Sequence, residues 1–178
     1  TQLAKAHKVT GTAVSSNTTD LGYAGTISLR TGTPIEIEIT ADMTLLEVAE
    51  AINAASGKTG VNASILKVSE GSYQLVLTAA STGETITATD ASGTVLEQLG
   101  ILDTDGAFAD VLQEPQDAIF SIDGIEITRS TNDVDDVLDG VTLHRYQATS
   151  GGTVTVEVGT DLNAVKTAIV ALVDAYNA

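Results

Sequence analysis

The sequence predicts an α+β fold in two sheet-rich domains, one of mixed α and β character inserted into a second that is mainly antiparallel β, ending in the start of a further helix. Three observations carry that expectation. The chain is 43% hydrophobic but only 3% aromatic, and its apolar residues are accompanied by 26 Thr among the 178 residues; β-branched side chains are stiff at χ1 and favour strands. Most of the chain alternates apolar and polar residues with period two, and helical spacing is confined to a few stretches. Composition shifts twice, to a polar loop after residue 14 and to an acidic stretch after residue 89.

Residues 1–14 alternate Leu3, Lys5, His7 and Val9, compatible with a strand, and are the most basic stretch. SSNTTDLGYA follows as a polar loop, and a boundary is expected near Leu21. From Gly25, Ile27 and Leu29 lead to a Gly32-Thr33-Pro34 turn and to Ile35, Ile37 and Ile39, separated by Glu36 and Glu38. This reads as a hairpin with one apolar and one charged face. Thr44 and Glu47 make a capping box, Met43 and Val48 a hydrophobic staple, and Leu45, Val48, Ala49, Ile52 and Ala55 recur at helical spacing until Gly57, the expected stop. Strands are expected over 61–68 and 72–79, turning at Glu70-Gly71, with a short strand near Ile86 and a short helix over 95–99. Thr94 with Glu97 would cap that helix, and Gly100 would end it.

Between Asp90 and Asp139 thirteen acids stand against one base, Arg129. Within this stretch ILDTDGAFADVLQEPQD, with Pro115, reads as a linker. Ala118–Ile122 and Ile125–Arg129 flank Asp123-Gly124, a strong hairpin signal. Val134, Val137 and Leu138 behind Asn132 read as one helical turn, and strands over 141–149 and 153–158 should pair across Ser150-Gly151-Gly152. Thr160 or Asp161 would cap a last helix carrying Leu162, Val165, Ile169, Leu172 and Tyr176. The simplest arrangement is nested: residues 1–21 with 113–160 form the mainly-β domain, 22–112 the inserted α+β domain, and 161–178 the start of a helix. The N-terminal strand would then pair with the sheet of 118–158. A chain that begins at Thr1 and ends within a helical pattern is expected to be a piece of a longer one.

Composition also restricts function. A net charge of −16 argues against nucleic acid and against anionic membrane surfaces, both of which call for Lys and Arg. Without Cys there is no disulfide, thiolate metal site or Cys nucleophile. No apolar run approaches membrane-spanning length, and no basic segment precedes an apolar one as in a Sec-type signal. Partial motifs fail one by one. Gly57-Lys58-Thr59 lacks the first glycine of a phosphate loop and follows a helix. Asp103, Asp105 and Glu114 match three calcium-loop positions, but Ala107 and Phe108 stand where a ligand and the obligatory glycine belong. Asp133, Asp135, Asp136 and Asp139 read as a solvated acidic cluster, and His7 and His144 lack a third metal ligand. The residues thus read as a non-enzymatic module with no cofactor and no metal.

A resemblance extends this reading. The segment from Gly25 to Glu84, with its L-x-x-V-A-x-x-I-N helix ending in Ile52-Asn53, then G-V-x-A-S-I and L-x-L-T-x-x-x-T-G, resembles the Ile-Asn repeat of flagellar hook-associated proteins and flagellins. The run A-I-F-S-I-D-G-I-E-I-T-R-S-T-N, the D-G-V-T-L pattern and the closing V-D-A-Y-N resemble the later region of the flagellar filament cap family, the hook-associated protein 2 family, and QLAKAHKV fits its entry into the same domain. The resemblance implies a fragment holding two plate domains and the start of a leg helix. It implies a structural protein, secreted and extracellular at the tip of the bacterial flagellum. There it forms a homo-oligomeric ring, pentamer or hexamer, and promotes flagellin folding and polymerisation, with flagellin and the hook-associated junction proteins as partners. Ile52 and Asn53 are implied as structural motif residues: Ile52 on the core face, and Asn53 near the helix end, able to satisfy orphan carbonyls. The alternative is an adhesive tip module that binds host mucin or other glycans.

Overall fold

The computed structural model describes residues 1–148, 151–157 and 162–176, with side-chain environments in the last segment from residue 165. The elements run β1 (Lys8–Thr10), β2 (Gly25–Arg30), β3 (Ile35–Ile39), α1 (Leu45–Ala54), α2 (Ser56–Thr59), β4 (Val61–Ser69), β5 (Ser72–Ala79), β6 (Thr87–Ser92), α3 (Val95–Gln98), β7 (Asp110–Gln113), β8 (Ala118–Ile122), β9 (Ile125–Arg129), β10 (Asp133–Leu138), β11 (Val141–His144) and α4 (Leu162–Tyr176). Two compact units emerge, residues 1–148 and residues 149–178. The class is α+β, and all strand pairs among the described residues are antiparallel.

In the first unit, a three-stranded sheet β3-β2-β6 and a four-stranded sheet β4-β5-β1-β7 share one core. Ile27, Leu29 and Ile39 from the first, Val9, Leu75 and Leu77 from the second, and Leu45, Val48 and Ile52 from α1 are almost completely buried. Each fully buried side chain of this size stabilises by roughly 1.5–3 kcal/mol relative to exposure. The alternation read from sequence is the cause: Ile37 and Ile39 point inward while Glu36 and Glu38 remain exposed. The α1 capping box forms as expected, with the Thr44 hydroxyl accepting from the Glu47 N–H and the Glu47 carboxylate accepting from the Thr44 N–H. The helical path stops later than expected. Gly57 lies inside α2, and Gly60, at φ 69°, takes the left-handed conformation that ends it.

Several local expectations give way. β1 does not pair with the strands of 118–158. It runs between β5 and β7, with Val9 opposite Leu77 on one side and Val111 on the other. The backbone before β1 meets the later segment through single bridges, from Gln2 to Ile119 of β8 and from Lys5 to Gln116 just before it. Val9 lies within the α+β core, and Ala6, Val14 and Leu21 pack against it. The expected linker accordingly supplies a strand, β7, as the outer neighbour of β1. The helical turn expected at 134–138 is strand β10, paired with β11 across Asp139-Gly140, with Gly140 at φ 74°. Of its apolar residues only Val134 is buried, and the pairing register shifts between Val134 and Leu138. The strand expected over 141–149 ends at His144, and residues 153–157 pair with no strand among the described residues. Ser150 of the expected turn and the cap at Thr160 or Asp161 lie outside the described residues. In the second unit α4 forms, with Val165, Ile169, Leu172 and Tyr176 all exposed.

Candidate functional site

Ile52 and Asn53 sit at the end of α1. Ile52 is fully buried in the core, and the helix that carries it packs against β4. Asn53 does not serve the helix carbonyls. Its Nδ2 donates to the Ala63 carbonyl and its Oδ1 accepts from the Ala63 N–H, both at 2.8 Å. The carboxamide thus imitates a peptide group and occupies the outer edge of β4 as a neighbouring strand would. At the end of α2, the Thr59 hydroxyl does the same for Val61, accepting from its N–H at 3.1 Å. The Ile-Asn pair is therefore a device that fastens a helix to a sheet edge.

A second fastening of this kind joins the N-terminal segment to the later hairpins. Asn132, expected as a helix cap, donates from Nδ2 to the Ala4 carbonyl and accepts the Ala4 N–H at Oδ1, at 3.0 and 2.8 Å. Gln113 and Gln116 donate to the carbonyls of Ala6 and Leu3, and the Arg145 Nη2 donates to that of Gln2. The Arg145 guanidinium lies 4.1 Å from the Phe120 ring centroid, a cation–π stack, and burial pushes its pKa down. Residues 2–6 are held by side chains in place of a continuous ladder. Nothing in the periodicity of the sequence signals these contacts, which connect residues 107 to 143 positions apart.

The chemistry-bearing residues are likewise engaged locally. His7 is buried, its Nδ1 accepts from the Ile86 N–H at 3.0 Å, and its ring meets Phe108 edge-on. Burial lowers its pKa, against an opposing pull from Glu114. His144 instead pairs with Asp133 at 2.6 Å, so the two histidines face different partners. Asp136 accepts both of its bonds from the Arg129 Nε at 3.0 Å, which holds its carboxyl below the usual range. The Asp103 carboxylate accepts from the N–H groups of Asp105 and Ala107 and closes its own loop. No group of three or more metal-ligating side chains occurs among the described residues. A shallow groove of about 540 Å³ between β9 and β10 is lined by Ile125, Ile127, Arg129, Asp136 and Leu138 and carries no aromatic side chain. No described helix is long and apolar enough to cross a membrane.

Comparison with known proteins adds a second line of observation. A family model described as the flagellin hook IN motif matches residues 22–81, and one described as the flagellar hook-associated protein 2 C-terminus matches residues 115–178. Flagellar hook-associated protein 2 of Salmonella typhimurium is 38% identical over 148 residues, 81% of this chain and 31% of that protein. The A-type flagellar hook-associated protein 2 of Pseudomonas aeruginosa is 29% identical over 196 residues, 99% of this chain and 41% of that protein. Among solved structures, the D2-D3 domains of the flagellar cap protein FliD from Serratia marcescens superpose with a TM-score of 0.69 at 32% identity, covering 84% of each chain. The D1-D2-D3 domains of FliD from Escherichia coli superpose with a TM-score of 0.81 at 29% identity, covering 99% of this chain and 62% of that one. The chain spans less than half the length of these two curated relatives.

Proposed function

The chain belongs to the flagellar hook-associated protein 2 family, that of the filament cap FliD, and from that premise we propose that its protein caps the distal end of the bacterial flagellar filament as a homo-oligomeric ring. There, secreted and extracellular, it promotes the folding and polymerisation of flagellin, with the hook-associated junction proteins as further neighbours. The observation that carries this reading is the match to FliD D2-D3 domains over 84% of both chains. The local chemistry supports it. The Asn53 and Asn132 amides and the Asp103 carboxylate are spent on the chain's own backbone, as suits a scaffold. An adhesive, glycan-binding role lacks comparable support, because the groove between β9 and β10 offers no aromatic platform.

The test is genetic. Expression of the whole protein that contains this sequence in a strain lacking its own cap gene is expected to restore filament growth and swimming, with immunogold label confined to filament tips. Label along the shaft, or secretion without filament growth, overturns the reading.

A further inference from the structure

β4 lies at one border of its sheet and β7 at the other. Tyr73 of β5 exchanges hydrogen bonds with Val14, and Leu75 accepts from Gly11, so the odd-numbered residues of β5 face away from β4. By the register of the pair, the ladder to β4 runs through its even-numbered residues, and the N–H and C=O groups of Val61, Ala63, Ile65 and Lys67 point off the sheet. The Thr59 hydroxyl closes the first of these positions and the Asn53 amide the second. Among the described residues no side chain does the same for Ile65 or Lys67. The capping stops half-way along the strand, and the open half exposes Leu66 and Val68 by 54% and 55%.

An open edge with exposed aliphatic side chains is a template for strand addition. We infer that the outer edge of β4 from Ile65 to Val68 receives β7 of a second copy of this chain. Three features select β7. The three adjacent pairs of the sheet are antiparallel, so β4 and β7 run in opposite directions, and β7 laid beside the β4 of a neighbour continues the alternation. β7 is four residues long against the five of the uncapped end of β4, residues 65–69, where the register with β5 shifts between Lys67 and Ser69, and Val111 and Leu112 of β7 are 36% and 53% exposed. Charge favours the mixed pair as well: Lys67, the one cation on β4, pairs at the surface with its own Glu70 at 2.9 Å and stays 49% exposed, whereas Asp110 opens β7 and Glu114 follows it. Two β4 edges would bring two Lys67 side chains together. Because the two borders differ, the contact is head-to-tail, and repetition by rotation closes a ring. The inference names the contact for the self-association proposed above and rests on that reading.

The absence of cysteine makes the test clean. Oxidation of the double variant Leu66→Cys/Leu112→Cys at high protein concentration is expected to give a ladder of dimers, trimers and larger species. Each single variant should give none, and a mixture of the two singles only dimers. Lys67→Pro removes an N–H that points off the sheet, so it should abolish the ladder while leaving the melting temperature unchanged. A ladder that survives Lys67→Pro, or a dimer from Leu66→Cys alone, overturns the inference. Sedimentation separates the two failures. Self-association without cross-links overturns the β4–β7 contact and leaves the ring standing. A chain that stays monomeric and uncross-linked also overturns the contact, and restored filament growth then decides the ring independently.

Discussion

At the scale of single residues, the described fold depends on side-chain amides that behave as pieces of backbone. Asn53→Ala would leave the Ala63 N–H and C=O without partners on the edge of β4, and the expected loss is about 1–2 kcal/mol in urea unfolding, since the site is partly solvated. Asn53→Asp should not restore it, because a carboxylate cannot donate to the Ala63 carbonyl. His7 supplies a pH dependence of definite sign. Its Nδ1 already accepts the Ile86 N–H, so the folded chain holds the ring neutral, while the unfolded chain takes up a proton as pH falls through 6.5. The stabilisation is therefore complete above pH 6.5 and falls as pH drops below it, down to the lowered value of the folded chain. His7→Gln, which offers Ile86 an oxygen and does not titrate, should flatten that slope in unfolding curves taken from pH 7 to pH 5. In the sequence Asn53 looked like a helix-end residue and Asn132 a cap. Which backbone group an amide finds depends on a partner distant in sequence, so those roles were not legible there.

At the scale of elements, the helix starts and the turns were the most legible features, because a short-range pattern determines each. The Thr44–Glu47 box and the Asp123-Gly124 turn form as read, with Asp123 at φ 51° and Gly124 at φ 83°. The α3 cap is the instructive exception. Thr94 makes no side-chain capping bond, and the Asp90 carboxylate, six residues before Leu96, accepts from the N–H groups of Leu96 and Glu97. Asp90→Ala should then cost about 0.5–2 kcal/mol, whereas Thr94→Ala should cost little, as paired urea curves will show. Gly100 ends α3 at φ 66°, and an added Cβ would strike the Thr12 side chain. Gly100→Ala is expected to destabilise by about 1–3 kcal/mol, a fall of about 2–4 °C in Tm per kcal/mol. In β10, Val134, Val137 and Leu138 fit a helical turn as well as a strand. The deciding signal was present in Asp139-Gly140, the same dipeptide that marks the β8–β9 hairpin.

At the scale of the whole molecule, the α+β class and the family were legible, because alternation and motif spacing extend over most of the chain. The path of the N-terminus was not, since strand pairing between distant segments leaves no local pattern. We propose that the nested division holds with its first boundary shifted towards residue 7, so that residues 8–113 form the inserted body. Limited proteolysis should then yield a protected core that begins before Val9 and ends after Gln113. A protected core that began at residue 22 would instead place the boundary at Leu21.

The place of β1 also bears on the order in which the body can assemble. Lys8–Thr10 is an interior strand, but its partners on β5 lie more than sixty residues ahead and Asp110 lies one hundred residues beyond Thr10. Whichever end of the polypeptide becomes free first, the four-stranded sheet cannot close until both extremes of that span are available. Such long-range closure makes for slow folding and leaves the β4–β5 hairpin, whose contacts are local, as the earliest piece able to form by itself. A chain threaded residue by residue through a narrow passage would thus emerge in a linear state and gain its rigidity late, in one cooperative step.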